Sequence, residues 1–141
     1  HRDLKPANVL FRDERTLAII DFGVAKAIGP NAELTDQLSL KGTPYYMSPE
    51  VIRGQEIDTR ADLYSLGVLL FEMLAGRRPY NARPLANLLR AHLEQPIPGL
   101  PPHVATMQPL VNGLLAKDPD DRFQTIGELL VALDGHDTRI F

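Results

Sequence analysis

The feature that most constrains the fold is the apolar stretch at positions 63–74, LYSLGVLLFEML. Because it is apolar nearly all round rather than along one face, it predicts a buried helix at the centre of a bundle. Thr59 with Asp62 three positions later predicts the start of this helix, and the residues after Ala75 predict its end. Glu72 interrupts the stretch, which falls short of the ~18 uninterrupted apolar residues of a membrane-spanning helix, so we expect no membrane segment in this chain.

Before the central helix, the sequence predicts a hairpin and then a long loop. The runs VLF at 9–11 and LAII at 17–20 are rich in strand-forming residues, and a polar segment separates them. From 21 to 50, glycine and proline interrupt any regular spacing of apolar residues, which predicts a loop. A loop of that length is usually functional.

Three further helices are expected after the central one. Apolar residues have helical spacing at 84–93, 107–117 and 125–133, and the last segment begins with a capping box of Thr125 and Glu128. The proline-rich segment PIPGLPP joins the first two. The predicted fold class is therefore α+β and mostly α, with a β-hairpin, a long loop and a helical bundle.

Composition narrows the class of function. A chain of 141 residues with 44% apolar and 23% charged residues is expected to form one globular domain. Its net charge of −3 provides no general attraction to nucleic acid. The absence of cysteine excludes disulfides and Cys-based zinc sites, and it fits a reducing, cytoplasmic location. Because the chain opens on His1 inside a polar motif, we expect it to be part of a longer protein, with any membrane anchor outside these residues.

The opening string HRDLKPANVL gathers three groups with complementary chemistry. A carboxylate (Asp3), an ammonium (Lys5) and a carboxamide (Asn8) lie within six residues, and Pro6 prevents a continuous helix through them. Such a trio suits a reaction in which one group accepts a proton, one neutralises negative charge and one supplies an oxygen to a hard cation.

A second carboxylate, Asp21, follows the predicted hairpin. If the two strands pair, Asp21 returns beside Asn8. A site with only two protein oxygen ligands suits Mg²⁺, because water and phosphate oxygens complete its octahedral coordination. Asp and Asn are also ordinary turn residues, so each position taken singly carries little weight.

Three ordered motifs together carry a family resemblance. HRDLKPAN at 1–8, DFG at 21–23 and GTPYYMSPE at 42–50 resemble the catalytic loop, metal-binding motif and activation segment of the eukaryotic-type (Hanks-type) protein kinases. The chain is most similar to bacterial serine/threonine members. The resemblance covers about 1–133 and implies the C-terminal lobe of a kinase, with the N-terminal lobe absent and 134–141 left as a truncated tail.

The resemblance implies roles for the polar residues of the first two motifs. Asp3 and Lys5 would be catalytic, since Asp3 would accept the proton of the substrate hydroxyl and Lys5 would contact the transferred phosphoryl group. Asn8 and Asp21 would hold Mg²⁺ against the ATP phosphates, so that Lys5, Asn8 and Asp21 all bind the nucleotide. Leu10 would lie under the adenine ring or belong to the hairpin core, and both interpretations stay open.

The resemblance also implies a regulated activation segment. Arg2 and Lys26 match positions that bind a phosphate on this segment. Ser39 is the first candidate phosphosite and Thr35 the second, although hydroxyls on a loop are also commonly just solvated. Thr43 would form a wall of the substrate site.

Three more positions match structural residues of the family. Glu50 and Arg122 would form a buried ion pair that ties the end of the activation segment to the helical bundle. Asp62 would grip the backbone of the catalytic loop, a role compatible with capping the central helix.

The remaining polar positions bear on substrate choice and on metals. Ala7 replaces a Glu that is frequent in kinases with basic substrates, whereas Glu72 matches another acidic position used to recognise such substrates. His92, His103 and His136 have no acidic or sulfur partners at metal-site spacing, and we expect all three at the surface.

We therefore expect an ATP- and Mg²⁺-dependent serine/threonine kinase that acts on protein substrates, with a second kinase copy as its partner in trans-autophosphorylation. The chain lacks the glycine-rich loop and the strand-borne Lys that clamp a nucleotide, so we expect no activity from the chain alone. Two alternatives stay open. One is a pseudokinase or scaffold lobe that binds partners without catalysis, and the other is a small-molecule phosphotransferase of the aminoglycoside kinase type.

Overall fold

The computed structural model describes residues 1–14, 16–21 and 43–135. Within these ranges the chain forms a two-stranded sheet and five α-helices, which are β1 (Val9–Phe11), β2 (Leu17–Ile19), α1 (Pro49–Arg53), α2 (Arg60–Ala75), α3 (Leu85–Glu94), α4 (Gln108–Leu115) and α5 (Ile126–Asp134). Short 3-10 helices lie at Pro6–Asn8, Thr43–Tyr46, Pro102–Met107 and Pro119–Asp121. None of the helices in these ranges has both the length and the apolar character needed to cross a membrane. The architecture is mostly helical with one hairpin, as the sequence predicts.

Helix α2 is the centre of the core, as its apolar circumference predicts. Its residues Tyr64, Val68 and Phe71 are fully buried. Helix α4 packs against it and contributes Val111 and Leu115, which are also fully buried. The bundle is therefore organised around one helix that is buried on most of its circumference, with Met73 exposed on the remaining side.

Helices α2 and α4 approach each other closely at Gly67. A β-carbon at this position would lie 2.6 Å from Cβ of Leu114 and 3.0 Å from Cδ2 of Leu115. Core side chains are packed too densely to absorb a methyl group at such distances without moving a helix. The absence of a side chain at Gly67 therefore sets the spacing of the two helices.

Replacing Gly67 with Ala should lower the free energy of unfolding by about 1–3 kcal/mol, because the added methyl group overpacks the α2–α4 contact. Gly127→Ala is the matched control, since the nearest atom to an added β-carbon there is 3.6 Å away. Alanine favours a helix over glycine, so this variant should be as stable as the parent chain or up to about 1 kcal/mol more stable. Denaturant unfolding followed by circular dichroism measures both, and equal losses at the two positions would contradict the packing argument.

The predicted hairpin forms and positions the residues that follow it. Strands β1 and β2 are antiparallel, with Val9 opposite Ile19. Beyond this pair, the Ile20 N–H donates to the Asn8 carbonyl at 2.9 Å. Because Asp21 directly follows Ile20, the hairpin brings Asp21 beside Asn8.

The region from 43 to 54 is more ordered than the sequence predicts. The expected loop extends to position 50, but α1 begins at Pro49 and ends at Arg53, and it is followed by Gly54, whose φ of 64° is left-handed. Proline interrupts a helix interior yet favours a helix start, and glycine readily adopts the left-handed conformation that ends one. The prediction of a continuous loop was therefore wrong for this short helix.

Helix α2 begins directly after Thr59 and runs to Ala75 as predicted, but the predicted side-chain cap is wrong. Thr59 has helical backbone angles and, among the described residues, its side chain makes no capping hydrogen bond. Asp58 instead accepts from the Arg60 N–H through Oδ1 at 2.8 Å. Helix α5 does begin as predicted, because Thr125 Oγ1 accepts from the Glu128 N–H at 3.1 Å.

His92 is buried, which contradicts the prediction of a surface residue. It is fully inaccessible to solvent, and its Nδ1 lies 2.9 Å from the Tyr64 hydroxyl. The ring also makes an edge contact with Tyr80, with the centroids 5.0 Å apart. The physical reason is the helix period, which places His92 on the inward face of α3 with Leu88, four residues earlier. His103 is exposed as expected, and His136 lies outside the described residues.

The buried His92 should make stability depend on pH. Burial penalises the imidazolium, and with the nearby charge of Lys117 it lowers the pKa of His92 to about 3. An unfolded histidine titrates near 6.5, so between these two values mainly the unfolded chain binds the proton. Stability is therefore highest above pH 6.5 and falls by about 1.4 kcal/mol per pH unit as the pH drops below it.

Denaturant unfolding at pH 7 and pH 5 tests this dependence. His92→Asn keeps an acceptor for the Tyr64 hydroxyl but does not titrate, so its stability should change much less between the two pH values. His103→Asn removes an exposed histidine and should leave the pH dependence of the parent chain intact. An unchanged pH dependence in His92→Asn would refute this account.

Candidate active site

The opening segment folds into a compact polar cluster. Pro6 begins the 3-10 turn Pro6–Asn8, which leads directly into β1. Lys5 Nζ lies 2.5 Å from Asp3 Oδ2, and Asn8 Nδ2 donates to the Asp3 carbonyl at 2.8 Å and faces Asp3 Oδ2 at 3.3 Å. Asn8 is buried, whereas Asp3 and Lys5 are partly exposed. The three groups predicted to act together are thus in mutual contact.

Asp62 holds this cluster on the core helix. Its Oδ1 accepts from the backbone N–H of Arg2 at 2.9 Å, and its Oδ2 lies 2.9 Å from the backbone nitrogen of His1. The His1 ring is in turn hydrogen-bonded to the Ile20 carbonyl, with Nε2 3.0 Å from the oxygen. The start of the chain is therefore fixed both to α2 and to the end of the hairpin.

Two residues of this region have a left-handed backbone although they are not glycine. The φ of Arg2 is 66° and that of Asp21 is 56°. Aspartate tolerates this region better than most residues, whereas an arginine there is uncommon and strained. Such conformations persist only where the surroundings hold them, and they concentrate at functional sites. Asp62 supplies that restraint to Arg2 through its hydrogen bond to the backbone.

The oxygen atoms of Asn8 and Asp21 suit a hard cation. Asn8 uses its amide nitrogen on Asp3, which leaves the amide oxygen to face a ligand, and Asp21 is exposed. Over residues 1–14, 16–21 and 43–135, no group of three His, Cys, Asp or Glu side chains could hold a metal by itself. The donor set fits Mg²⁺ bound by few protein oxygens together with phosphate and water, and it does not fit a closed zinc site.

Several predicted site residues lie elsewhere or outside the described chain. Leu10 is 47% exposed, so it does not belong to a hairpin core in this structure, and its surface is open to a ligand. Thr43 begins the 3-10 helix Thr43–Tyr46, but its side chain is not among those that the structure describes. Lys26, Thr35 and Ser39 also lie outside the described residues.

Glu50 and Arg122 form a buried bidentate ion pair. Arg122 Nη1 donates to Glu50 Oε1 at 2.8 Å, and Nη2 donates to Oε2 at 2.7 Å. The other N–H groups of Arg122 donate to carbonyls of Arg60, Ala116 and Lys117. Burial would raise the pKa of Glu50, but the hydrogen bonds and charge of Arg122 outweigh it and hold that pKa below its usual range. This pair joins α1 to the segment before α5.

A second polar group near Thr43–Tyr46 was not predicted from the sequence. Glu72 accepts from the Tyr46 hydroxyl, and Arg78 lies against both Glu72 and the ring of Tyr45. We call these four residues the Arg78 cluster. The sequence marks Glu72 alone, since nothing in the spacing of Arg78 and the two tyrosines indicates that they meet.

The chain matches a family model over nearly its whole length. Residues 1–131 match the model described as the protein kinase domain. The opening cluster, the hairpin, the buried ion pair and the helical bundle all lie within the matched residues.

The relatives of this chain include bacterial serine/threonine-protein kinases. It is 37% identical over 133 residues to the serine/threonine-protein kinase PknB of Mycobacterium leprae. The aligned region covers 92% of this chain and 21% of that protein. It is 39% identical over 134 residues to PknA of Corynebacterium glutamicum, covering 94% of this chain and 28% of that protein. A probable serine/threonine-protein kinase of Streptomyces coelicolor is 37% identical over 139 residues, or 95% of this chain and 21% of the relative.

The chain thus spans about a fifth to a little over a quarter of the length of these relatives. The family model, in contrast, matches all but the last ten of its residues. On this match, and on its identity to bacterial serine/threonine-protein kinases, the chain belongs to the protein kinase domain family.

Proposed function

We propose that residues 1–133 are the C-terminal lobe of a protein serine/threonine kinase that uses ATP and Mg²⁺, and that 134–141 begin a tail. The observation that carries the proposal is the contact of Asp3, Lys5 and Asn8 in a cluster anchored by Asp62. A carboxylate, an ammonium and an amide oxygen at one point suit proton acceptance, charge neutralisation and cation binding.

In this proposal each residue has a distinct task. Asp3 orients the substrate hydroxyl and accepts its proton as the oxygen attacks the terminal phosphorus of ATP, whose bond to the bridging oxygen breaks and releases ADP. Lys5 lies beside Asp3 and neutralises charge on the transferred phosphoryl group. Asn8 and Asp21 would hold Mg²⁺, which when bound neutralises the nucleotide phosphates. Leu10, exposed on β1, would contact the adenine ring.

Regulation is proposed to act through the activation segment. Arg2 and Lys26 would bind a phosphate on Ser39, or on Thr35 as the second choice, added by another copy of the kinase. Two cations that converge on one point favour a dianionic phosphate over a neutral hydroxyl. Thr43 would line the site that accepts the protein substrate.

The proposal also concerns what these residues do alone. Catalysis of phosphoryl transfer depends on positioning and on neutralising the nucleotide, and that requires a glycine-rich loop and a Lys supplied by another lobe. We therefore propose that residues 1–141 by themselves do not turn over ATP.

Transfer of label from γ-labelled ATP to a Ser/Thr peptide mixture tests both statements. The natural full-length polypeptide should label the peptides in the presence of Mg²⁺, and the 141-residue chain should give only background. Turnover by the 141-residue chain would refute the second statement. ATP binding without transfer by the full-length polypeptide would refute the first and favour a pseudokinase.

A further inference from the structure

The Arg78 cluster engages both carboxylate oxygens of Glu72 within the protein. Oε2 accepts from the Tyr46 hydroxyl at 2.6 Å, and Oε1 lies 3.3 Å from Arg78 Nε. The Glu72 side chain is 29% exposed, so an outside cation would compete with Arg78 for its carboxylate. The negative charge of Glu72 is thus already neutralised by an arginine of the same chain.

Arg78 itself is partly exposed and lies over the rings of Tyr45 and Tyr46. Its guanidinium carbon is 4.1 Å from the centroid of the Tyr45 ring and 5.8 Å from that of Tyr46. Nε is buried and, among the described residues, has no hydrogen-bond partner of good geometry, while the side chain as a whole is 34% exposed. A planar guanidinium matches the geometry of a carboxylate, and the partial exposure of Arg78 gives a ligand access to it.

The local charge favours an anion. Arg77 is exposed next to Arg78 and stacks over the Phe71 ring, with its guanidinium carbon 5.3 Å from the centroid. With Glu72 as the acidic member, these two arginines leave a net positive charge. Burial opposes the charged form of Arg78, but Tyr46 and Glu72 more than compensate, so its pKa lies above the ordinary value.

The cluster is connected to the candidate active site through α2. Ser65 Oγ donates to the Tyr46 carbonyl at 2.8 Å, and Asp62 on the same helix holds the backbone of Arg2. From Asp62 to Glu72 the helix rises about 15 Å. An extended peptide advances about 3.3–3.6 Å per residue, so it spans a distance of that order in about four to five residues.

We propose that the Arg78 cluster is a specificity site, and that it selects protein substrates with an acidic side chain near the phosphorylated residue and rejects basic ones. This inference rests on the proposed kinase function. Glu72 alone would attract a basic side chain. Arg78 occupies that carboxylate and offers a guanidinium in its place, which reverses the preference.

Peptides phosphorylated by the natural full-length polypeptide test the inference. A peptide with one Ser acceptor should carry Glu, Ala or Arg in turn at each position two to five residues on either side. At one or more positions, kcat/KM for the Glu peptide should exceed that for the Arg peptide by about tenfold, which corresponds to one good charged contact. If the unmodified protein phosphorylates the Arg peptides in preference to the Glu peptides, the inference is overturned. This test requires no variant.

Variants locate the selection at Arg78. Arg78→Ala should free Glu72 and reverse the ratio in favour of the Arg peptide, and Arg78→Ala with Glu72→Gln should remove both preferences. Arg90→Ala is the matched control, because Arg90 is an exposed arginine that pairs with Glu94 at 2.7 Å on α3. It should keep the ratio of the unmodified protein. An unchanged Glu-to-Arg ratio in Arg78→Ala would overturn the inference.

Binding of the same peptides, labelled with a fluorophore and followed by anisotropy, separates this inference from the proposed function. If no peptide is phosphorylated, the proposed function fails, while tighter binding of Glu than Arg peptides, lost in Arg78→Ala, would still support the specificity site. Equal binding of both peptide types would overturn the site even if transfer occurs.

Discussion

Replacing Asp3 with Asn should lower kcat for phosphoryl transfer by about 10²- to 10⁴-fold, because an amide cannot accept the proton of the substrate hydroxyl. Asparagine is nearly the same size and can still contact Lys5. The structural hydrogen bond from Asn8 Nδ2 runs to the backbone carbonyl of residue 3, so it survives the substitution. The loss should therefore fall on kcat, with little change in KM for ATP.

Initial rates of label transfer by the natural full-length polypeptide measure this effect. Asp134→Asn is the matched control, since Asp134 is an exposed aspartate at the end of α5. It should keep the parent rate. An Asp3→Asn variant with a kcat near that of the control would show that Asp3 is not the proton acceptor.

The second large effect is expected from the buried ion pair. Arg122→Met should lower the free energy of unfolding by about 3–5 kcal/mol, because it leaves the Glu50 carboxylate buried without its partner. The Arg122 side chain is 0% exposed and that of Glu50 is 4% exposed, so solvent cannot replace the lost contact. Arg122→Met also leaves three carbonyls without their donor, those of Arg60, Ala116 and Lys117.

The double variant Glu50→Leu with Arg122→Met separates a stranded charge from lost packing. Because it removes both charges, it should be more stable than Arg122→Met alone. Unfolding midpoints in denaturant compare the two. If the double variant loses as much free energy of unfolding as Arg122→Met and Glu50→Leu lose together, the ion pair is not the cause of the destabilisation.

The same pair should contribute to acid unfolding. The folded-state pKa of Glu50 lies below its unfolded value, so its stabilising contribution is fully present above about pH 4.3 and is lost as the pH falls through the lower folded pKa. Glu50→Gln should therefore remove part of the pH dependence of stability below about pH 4.3, a window that overlaps that of His92 only at its acid end.

Local patterns predicted those elements whose residues are close in sequence. The circumference of α2, the strand pattern of the hairpin and the capping of α5 all depend on spacings of a few residues, and all three form as predicted. The contacts among Asp3, Lys5 and Asn8 could also be predicted from the sequence, because Pro6 forces a turn that brings them together. Asp21 joins them through the strand pairing that periodicity already indicates.

Features that depend on distant contacts were missed or required the family resemblance. The helix period places His92 on one face of α3 with Leu88, but the sequence does not show that this face packs against Tyr64 and Tyr80. Thr59 and Asp62 have the spacing of a cap, but Asp62 binds the backbone of residues 1 and 2 instead. No local pattern reveals these tertiary partners.

Two polar contacts between residues distant in sequence illustrate the same limit. Glu50 and Arg122 are 72 positions apart, and their pairing followed from the resemblance rather than from spacing. Tyr46 and Glu72 are 26 positions apart, and the resemblance indicated the acidic residue without its internal partners. Side chains that neutralise one another across the fold can thus reverse what a single residue suggests about a substrate.

The chemical identity of the phosphorylated residue tests the central claim most directly. The natural full-length polypeptide should be incubated with γ-labelled ATP and a peptide pool that offers Ser, Thr and Tyr acceptors, with and without Mg²⁺. Phosphoamino acid analysis should find label on Ser and Thr only when Mg²⁺ is present. ATP binding without label transfer, or label confined to Tyr, would contradict the assignment of these residues to a serine/threonine kinase site.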